Sequence, residues 1–309
     1  MTRAGAAGAV AAVLAGAVWC AGCSGGRPTA PLASSAAPAP SAPPAAPPMT
    51  AATTTTAPPA PVPVAALPAV PATPAGLAAA LAATEAPIHD PATPVASVPA
   101  LGATEQRLVA TLSAHPVWVP GVLAALPAPL RAGVGDAVTG DAELSAVPGP
   151  TPTAIPPWTI APPLPAAQLL TDYQRAQAAT GVPWTVLAAI NLVETRMGRI
   201  VGPSSAGAQG PMQFLPSTWA EYGAGGDVHD AGDAIAAAAR FLRANGAAGD
   251  LSAALYRYDP SGHYVRGVLA YAAAMAADTR AFYGFYGWRV YVATTAGTFL
   301  LPEGFTHPA

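Results

Sequence analysis

The chain has 309 residues, a formal net charge of −3, 9% charged residues and 38 prolines. Its 52% apolar content is heavily alanine, which contributes little buried area per residue, so the apolar count overstates the core. A phosphate-binding face needs clustered positive charge, and this balance gives no reason to expect nucleic acid as a partner.

In chain order, Met1-Thr2-Arg3 is followed by an apolar run from Ala4 to Trp19. That run is short for a membrane span, which takes about 20 residues, and suits a secretory leader. Ala21 and Gly22 directly before Cys23 resemble a bacterial lipobox, in which the cysteine is lipidated; Cys20 stands where that motif usually has Leu. The expectation is a signal peptide over 1–22, a lipid anchor in the cytoplasmic membrane through Cys23, and an extracytoplasmic location on the outer face of that membrane. Plain secretion to the cell wall is the alternative. Both cysteines of the chain fall in this segment, so cleavage before Cys23 leaves no internal disulfide and the fold stands on packing alone.

Residues 23–75 are Pro, Ala, Thr and Ser with a few Val and Leu and no aromatic residue. Such a stretch has too little apolar area to offset chain entropy, and its prolines favour extended PPII, so a disordered Pro/Ala/Thr-rich linker is expected. Residues 76–150 read as helical pieces punctuated by proline: "GLAAALAATEA", "ATEQRLVATLSAH" and "PAPLRAGVGDAVTGDAELSAV". Leu108 and Leu112 share one helical face, as do Leu130, Val134 and Val138, which predicts a small helical subdomain packed on the C-terminal half of the chain. A second Pro-rich stretch marks a boundary near 148–165.

Between 166 and 309 the texture changes to aromatics, Gly turns and most of the polar residues of interest. Leu169, Leu170 and Tyr173 define one side of a helix stopped by Gly181. The next helix opens at Pro183, carries Trp184, Leu187, Ile190 and Glu194 on one stripe, and has its natural stop at Gly198. Further helices are expected from Pro216, across "DAGDAIAAAARFLRANG" with Asp230 or Asp233 as cap, and across "LSAALYRYD" and "GHYVRGVLAYAAAMAAD". The aromatic run "FYGFYGWRVY" is assigned to core or subdomain contact, and "WRVYVATTAGTFLLPEGF" to a short hairpin.

Glu194 is one of only six Glu in the chain and follows an apolar helical run. Desolvation and the negative end of the helix dipole both raise a carboxyl pKa there, which suits a general acid. Arg196 and Arg199 point about 200° and 140° away from it on an ideal helix. Spacing alone leaves open a bland alternative, a partly exposed Glu194 paired with one of those arginines. Shortly after the helix comes "SSAGAQGPMQFLPSTW", whose glycines allow a tight backbone and whose Gln213 offers a donor and an acceptor. Beyond it "LYRYDPSGHY" brings Tyr256, Tyr258 and Tyr264 together, aromatic faces with polar tips of the kind a polysaccharide groove uses. The acids and His229 of "GDVHDAGD" are assigned to helix capping rather than to a metal, and Arg257 and Arg266 to a solvated face.

The order Glu-Thr, then Ser-x-x-Gly-x-x-Gly-x-Met-Gln-Phe-x-Pro-Ser-Thr-Trp, then Tyr-x-Tyr-Asp resembles the lytic transglycosylases of the soluble, goose-lysozyme-like type, closest to actinobacterial lipoprotein members. The resemblance covers about 166–292. It implies a mainly α chain: a lysozyme-like helical catalytic domain over 166–309, preceded by the small helical subdomain and the Pro/Ala-rich stalk. It implies that Glu194 is the single acid/base. Thr195, Gly210, Met212, Gln213, Tyr256, Tyr258 and Asp259 then contact substrate. It also implies non-hydrolytic cleavage of the MurNAc-β-1,4-GlcNAc bond of peptidoglycan glycan strands, with no metal and no cofactor, beside cell-wall synthesis or division proteins. Two positions depart from the family pattern. Thr195 stands where Ser often follows the glutamate, and Asp259 stands where Asn is usual. An anion at 259 either raises the pKa of Glu194 further or weakens binding of an acetamido group. A hydrolytic muramidase and a non-catalytic peptidoglycan-binding lipoprotein are the competing readings.

Overall fold

The computed structural model describes residues 57–307. The expected leader over 1–22, the lipidation site Cys23 and the 23–56 part of the expected linker lie outside them. Among the described residues the protein is mainly α, with eleven α-helices and five short strands. No single helix among them is long and apolar enough to cross a membrane.

Four helices fill the first part: α1 (Pro74–His89), α2 (Val98–Ser113), α3 (Val119–Ala125) and α4 (Arg131–Ser145). Thr73 caps α1, its Oγ1 accepting from Gly76 N at 3.2 Å, and Pro74 takes the first helical position, where its missing N–H costs nothing. Leu108, Leu112, Val134 and Val138 turn into the core as their spacing predicts. The seven-residue α3 is not legible in the sequence, because so short a piece shows no period and is flanked by prolines.

Part of the stretch expected as linker differs. β1 (Val62–Pro63) pairs antiparallel with β5 (Gly297–Leu301), Val62 opposite Leu300 and Pro63 opposite Phe299, and Pro68 O accepts from the Arg107 guanidinium. An edge strand tolerates a proline because the missing N–H can face outward, so Pro-rich composition does not preclude pairing here.

The second part holds α5 (Ala166–Thr180), α6 (Trp184–Thr195), α7 (Pro216–Tyr222), α8 (Ala231–Ala244), α9 (Leu251–Tyr258), α10 (Gly262–Ala277) and α11 (Arg280–Tyr286). Gly181 ends α5 at φ 80, and Asp230 caps α8 by accepting from Asp233 N at 2.9 Å. Asp233 in turn accepts from Asp227 N and Asp227 from His229 N, so the acids of this segment are engaged with backbone. The expected hairpin is β4 (Val290–Thr294) with β5, turning at Thr295 and Ala296.

One apolar cluster runs from Leu77 on α1 through α2, α4, α5, α6, α8 and α10 to Phe282, Phe285 and Trp288, so the aromatic run after 281 is core. α6 lies at its centre. Instead of the single stripe predicted, every residue from Thr185 to Val193, and Thr195, is buried; only Trp184 and Glu194 retain surface. A helix apolar on all sides is a central helix, and the stripe is one part of that. α10 packs across both α4 and α6 and so ties the two parts of the chain to one another. A smaller cluster of Trp158, Ile160, Ile200, Val290, Val292, Leu301 and Phe305 lies under the strand pair β2 (Thr159–Ile160) and β3 (Ile200–Val201).

Candidate active site

The site is built on the end of α6. The helix stops at Thr195, three residues before the predicted stop at Gly198, because the backbone enters the left-handed region at Arg196 (φ 54), Met197 (φ 61) and Gly198 (φ 84) in succession. For the two non-glycine residues this conformation costs about 1–3 kcal/mol each and persists only where the surroundings impose it. Here they do. Arg196 is 5% exposed, donates from Nη1 to Leu192 O at 2.8 Å and lies 6.0 Å from the centroid of the Trp288 ring. Met197 is 1% exposed, and its N–H returns to Asn191 O.

Opposite this turn, residues 209–214 form a tight loop closed by reciprocal bonds between Gln209 and Phe214, both 2.8 Å. Three carbonyls inside it are taken. Gly210 O accepts from the backbone and the Nε2 of Gln213, Pro211 O from Thr195 Oγ1 (2.6 Å) and Asn191 Nδ2 (2.8 Å), and Met212 O from the Tyr258 hydroxyl. Gly210 has φ 73 and lies against the carbonyl of Val228, where no side chain fits. Gln213, at φ 50, is another residue held left-handed without being glycine. Two residues of α6 and one of α9 therefore hold the loop rigidly over the end of the helix.

Glu194 sits at this junction. It keeps a narrow opening to solvent while protein surrounds it closely on the other sides. Its Oε1 accepts from the Tyr264 hydroxyl at 2.7 Å; Oε2 meets no donor among the described residues, nor is it sealed from solvent. Burial is the main cause that pushes this carboxyl up to about 8, with the charge of Asp259 adding to it and the Tyr264 bond opposing it. Neither arginine pairs with it: Arg199 donates to Arg196 O and to Glu303, and Arg196 to Leu192 O. The alternative of a surface ion pair is thereby removed.

Tyr258 and Tyr264 stack nearly parallel, 11° between planes and 6.4 Å between centroids, with Phe214 and Phe241 edge-on to Tyr258. Asp259, at the C-terminal end of α9 between these tyrosines in sequence, is half-buried and is pushed up to about 6 by burial.

The residues singled out in the sequence divide into two groups. Glu194, Gly210, Gln213, Tyr258 and Asp259 converge on the junction. Thr195 and Met212 differ from their expected role as substrate contacts: both are fully buried, Thr195 bracing Pro211 O and Gly198 N, Met212 filling the core beneath the loop. They shape the site without offering it surface, because the short helix-to-loop distance draws their side chains inward. Tyr256 is 52% exposed and stacks on no ring of the site, since on α9 it is two residues from Tyr258 and so faces away. Arg257 and Arg266 are exposed, Arg266 bridging to Glu143 at 2.8 Å.

Sequence reasoning misses the roles of two residues of the site. Tyr264 groups with the other tyrosines by composition, and its bond to Glu194 is not encoded there. Asn191, with no exposed surface, bonds Pro211 O and accepts from the Tyr173 hydroxyl at 2.6 Å. An amide in the middle of an apolar helix, one turn before Thr195, is the signal that could have found it. A recess of about 240 Å³ borders the far side of the same loop, walled by Leu169, Met197, Gly198, Gly210, Pro211 and others; Glu194 is not part of its wall. Comparison with protein-family models, with curated proteins and with solved structures finds no match to this chain.

Proposed function

We propose that the protein is a peptidoglycan lytic transglycosylase with a lysozyme-like catalytic domain, anchored outside the cytoplasmic membrane, with Glu194 as acid and then base. The observation that carries this reading is the state of Glu194. Its carboxyl is pushed up to about 8, is oriented by Tyr264, and has one oxygen left without a protein donor. Such a group is protonated at neutral pH and placed to give its proton away, which is what a glycosidic oxygen needs from a general acid. The rigid Gly210–Gln213 loop supports the reading as a wall against which a glycan can be oriented, and Gln213 Oε1, with no donor among the described residues, is left to accept from a sugar amide.

In this mechanism Glu194 protonates the oxygen that bridges N-acetylmuramic acid and N-acetylglucosamine, and the bond from C1 to that oxygen breaks. The 2-acetamido oxygen of the muramic residue closes on C1 and holds the developing charge as an oxazolinium ion. Glu194, now a carboxylate, takes the proton of the C6 hydroxyl, whose oxygen displaces the acetamido group at C1. The product ends in a 1,6-anhydro ring, and the acid is restored to its starting state.

The test is mass spectrometry of purified peptidoglycan incubated with the protein or with Glu194→Gln. Anhydro ends formed by the first and absent with the second are expected. Equal products from both would remove Glu194 from the chemistry, and no products from either would leave a wall-binding protein.

A further inference from the structure

Asp259 is a carboxylate without structural work. Its backbone N–H closes α9 on Leu255 O and its carbonyl accepts from Ser261 N, but its side chain meets no donor and no cation among the described residues. A half-buried carboxyl left so is costly unless something else uses it. It is fixed from both sides: Tyr258 before it is bonded to Met212 O of the loop, and Tyr264 after it is bonded to Glu194, the two rings stacked. Its charge is near enough to act on the Glu194 carboxyl and on Tyr264.

We propose that Asp259 is a second catalytic carboxylate, which activates a water to compete with the C6 hydroxyl for C1, so that the enzyme forms hydrolysed as well as anhydro ends. This inference rests on the glycan-cleaving reading of Glu194. The two routes share their first step, after which Glu194 is a carboxylate and C1 is held by the acetamido oxygen. In the second route Asp259 takes one proton of a water as its oxygen bonds to C1, and the C1–acetamido bond breaks with its electron pair returning to the amide. The sugar leaves with a free reducing end, and the proton on Asp259 passes through solvent to Glu194. The environments suit that division. Glu194 is pushed up to about 8 and Asp259 to about 6, so near neutrality the first is mostly acid and the second mostly base. Among the described residues the titratable groups facing Asp259 are Glu194 from α6 and Tyr264 from α10, and no cation among them acts on it or holds it in an ion pair.

The experiment uses sacculi whose existing reducing ends have been blocked with borohydride, incubated with the purified protein in water labelled with heavy oxygen. Both anhydro ends and new reducing ends bearing the label are expected. In Asp259→Asn, which keeps the side chain's shape, the ratio of labelled to anhydro ends should fall by about 100-fold, the lower range for a positioned general base. An unchanged unfolding midpoint shows that the variant is folded, and Asp259→Glu should recover part of the labelled product. Anhydro ends alone from the unmodified protein, or an unchanged ratio in Asp259→Asn, would overturn the role of Asp259 while leaving Glu194 in place. Absence of both products from the unmodified protein would instead remove the glycan reading, and this role with it.

Discussion

At the scale of single residues, the Tyr264–Glu194 bond has a sign that can be measured. A hydroxyl donating to a carboxylate favours the charged form, and this bond lowers the Glu194 pKa against the larger effect of burial. If Glu194 is the general acid, Tyr264→Phe should therefore move the alkaline limb of activity, which that carboxyl would set near pH 8, to higher pH while lowering kcat; a limb that stays in place would mean that another group sets it. The same carboxyl works against stability. Its folded pKa is raised from 4.5 to about 8, so as pH rises through that interval the unfolded chain releases a proton that the folded one retains, and stability falls. Glu194→Gln should gain about 0.5–2 kcal/mol at pH 7 in denaturant titration, a gain that shrinks toward pH 4. Gly210→Ala has the opposite character. Its Cβ would meet Val228 O at a left-handed φ, and a loss above about 3 kcal/mol or failure to fold is expected, read by thermal unfolding. Glu194 and its raised pKa were legible in the sequence because a rare carboxylate in an apolar helix is conspicuous. Asn191 and Thr195 were harder to read, since what they bond is a carbonyl 16 or more residues away and no local pattern encodes that.

At the scale of elements, α10 does the joining. It carries Tyr264 to Glu194 at one end and lies across α4 along its length, with Gly267 against Leu144 and Gly140 against the Tyr271 ring. The helices before residue 150 thus brace the element that orients the acid. On the far side, α1, α2 and α11 meet where Gly102 touches the backbone of Gly284, and they enclose Glu85 and Glu105. Burial, with the nearby charge of Glu85 adding, holds Glu105 well above the usual carboxyl range, while Trp288 Nε1 donates to its Oε2 at 3.1 Å. A raised folded pKa means stability that is present in acid and lost as pH rises above the carboxyl range of the unfolded chain. Glu105→Gln, which can still accept from Trp288, should raise the unfolding midpoint at pH 7 and change it little at pH 4; an equal effect at both would place its role in packing. Helix positions were readable from period and punctuation: Gly181, Asp230 and Pro216 mark boundaries that hold. The end of α6 was not, because Gly198 is a stop by propensity, whereas the turn at Arg196 is imposed by tertiary contacts of a buried arginine.

At the scale of the whole molecule, the two ends of the described chain support the site from behind. Residues 304–307 bond to Ile160 and Trp158, Ala161 N donates to Arg199 O, and Glu303 holds both Arg199 and Arg289, so the C-terminal segment closes over the strand that leaves the turn after α6. Deletion of 302–309 should expose what remains of the Trp158 cluster and, if Glu194 acts as proposed, cut activity more than tenfold without touching a reacting group, measured together with tryptophan fluorescence. Full activity in that truncation would make the segment dispensable. The mainly α class was legible from periodicity, but the closing of this segment and of β1 was not, since two-residue strands carry no pattern of their own. The β1–β5 pairing also has a mechanical meaning. If the chain is held upstream of β1 while the helical body grips a glycan strand, tension reaches Val62 and Pro63 first and pulls them away from Leu300 and Phe299 one rung after another. So short a pairing yields before any helix does, and residues 62–73 would then release about 40 Å of extended chain before load reached α1. The strand would act as a fuse and shock absorber, letting the wall move without dragging the acid from its place.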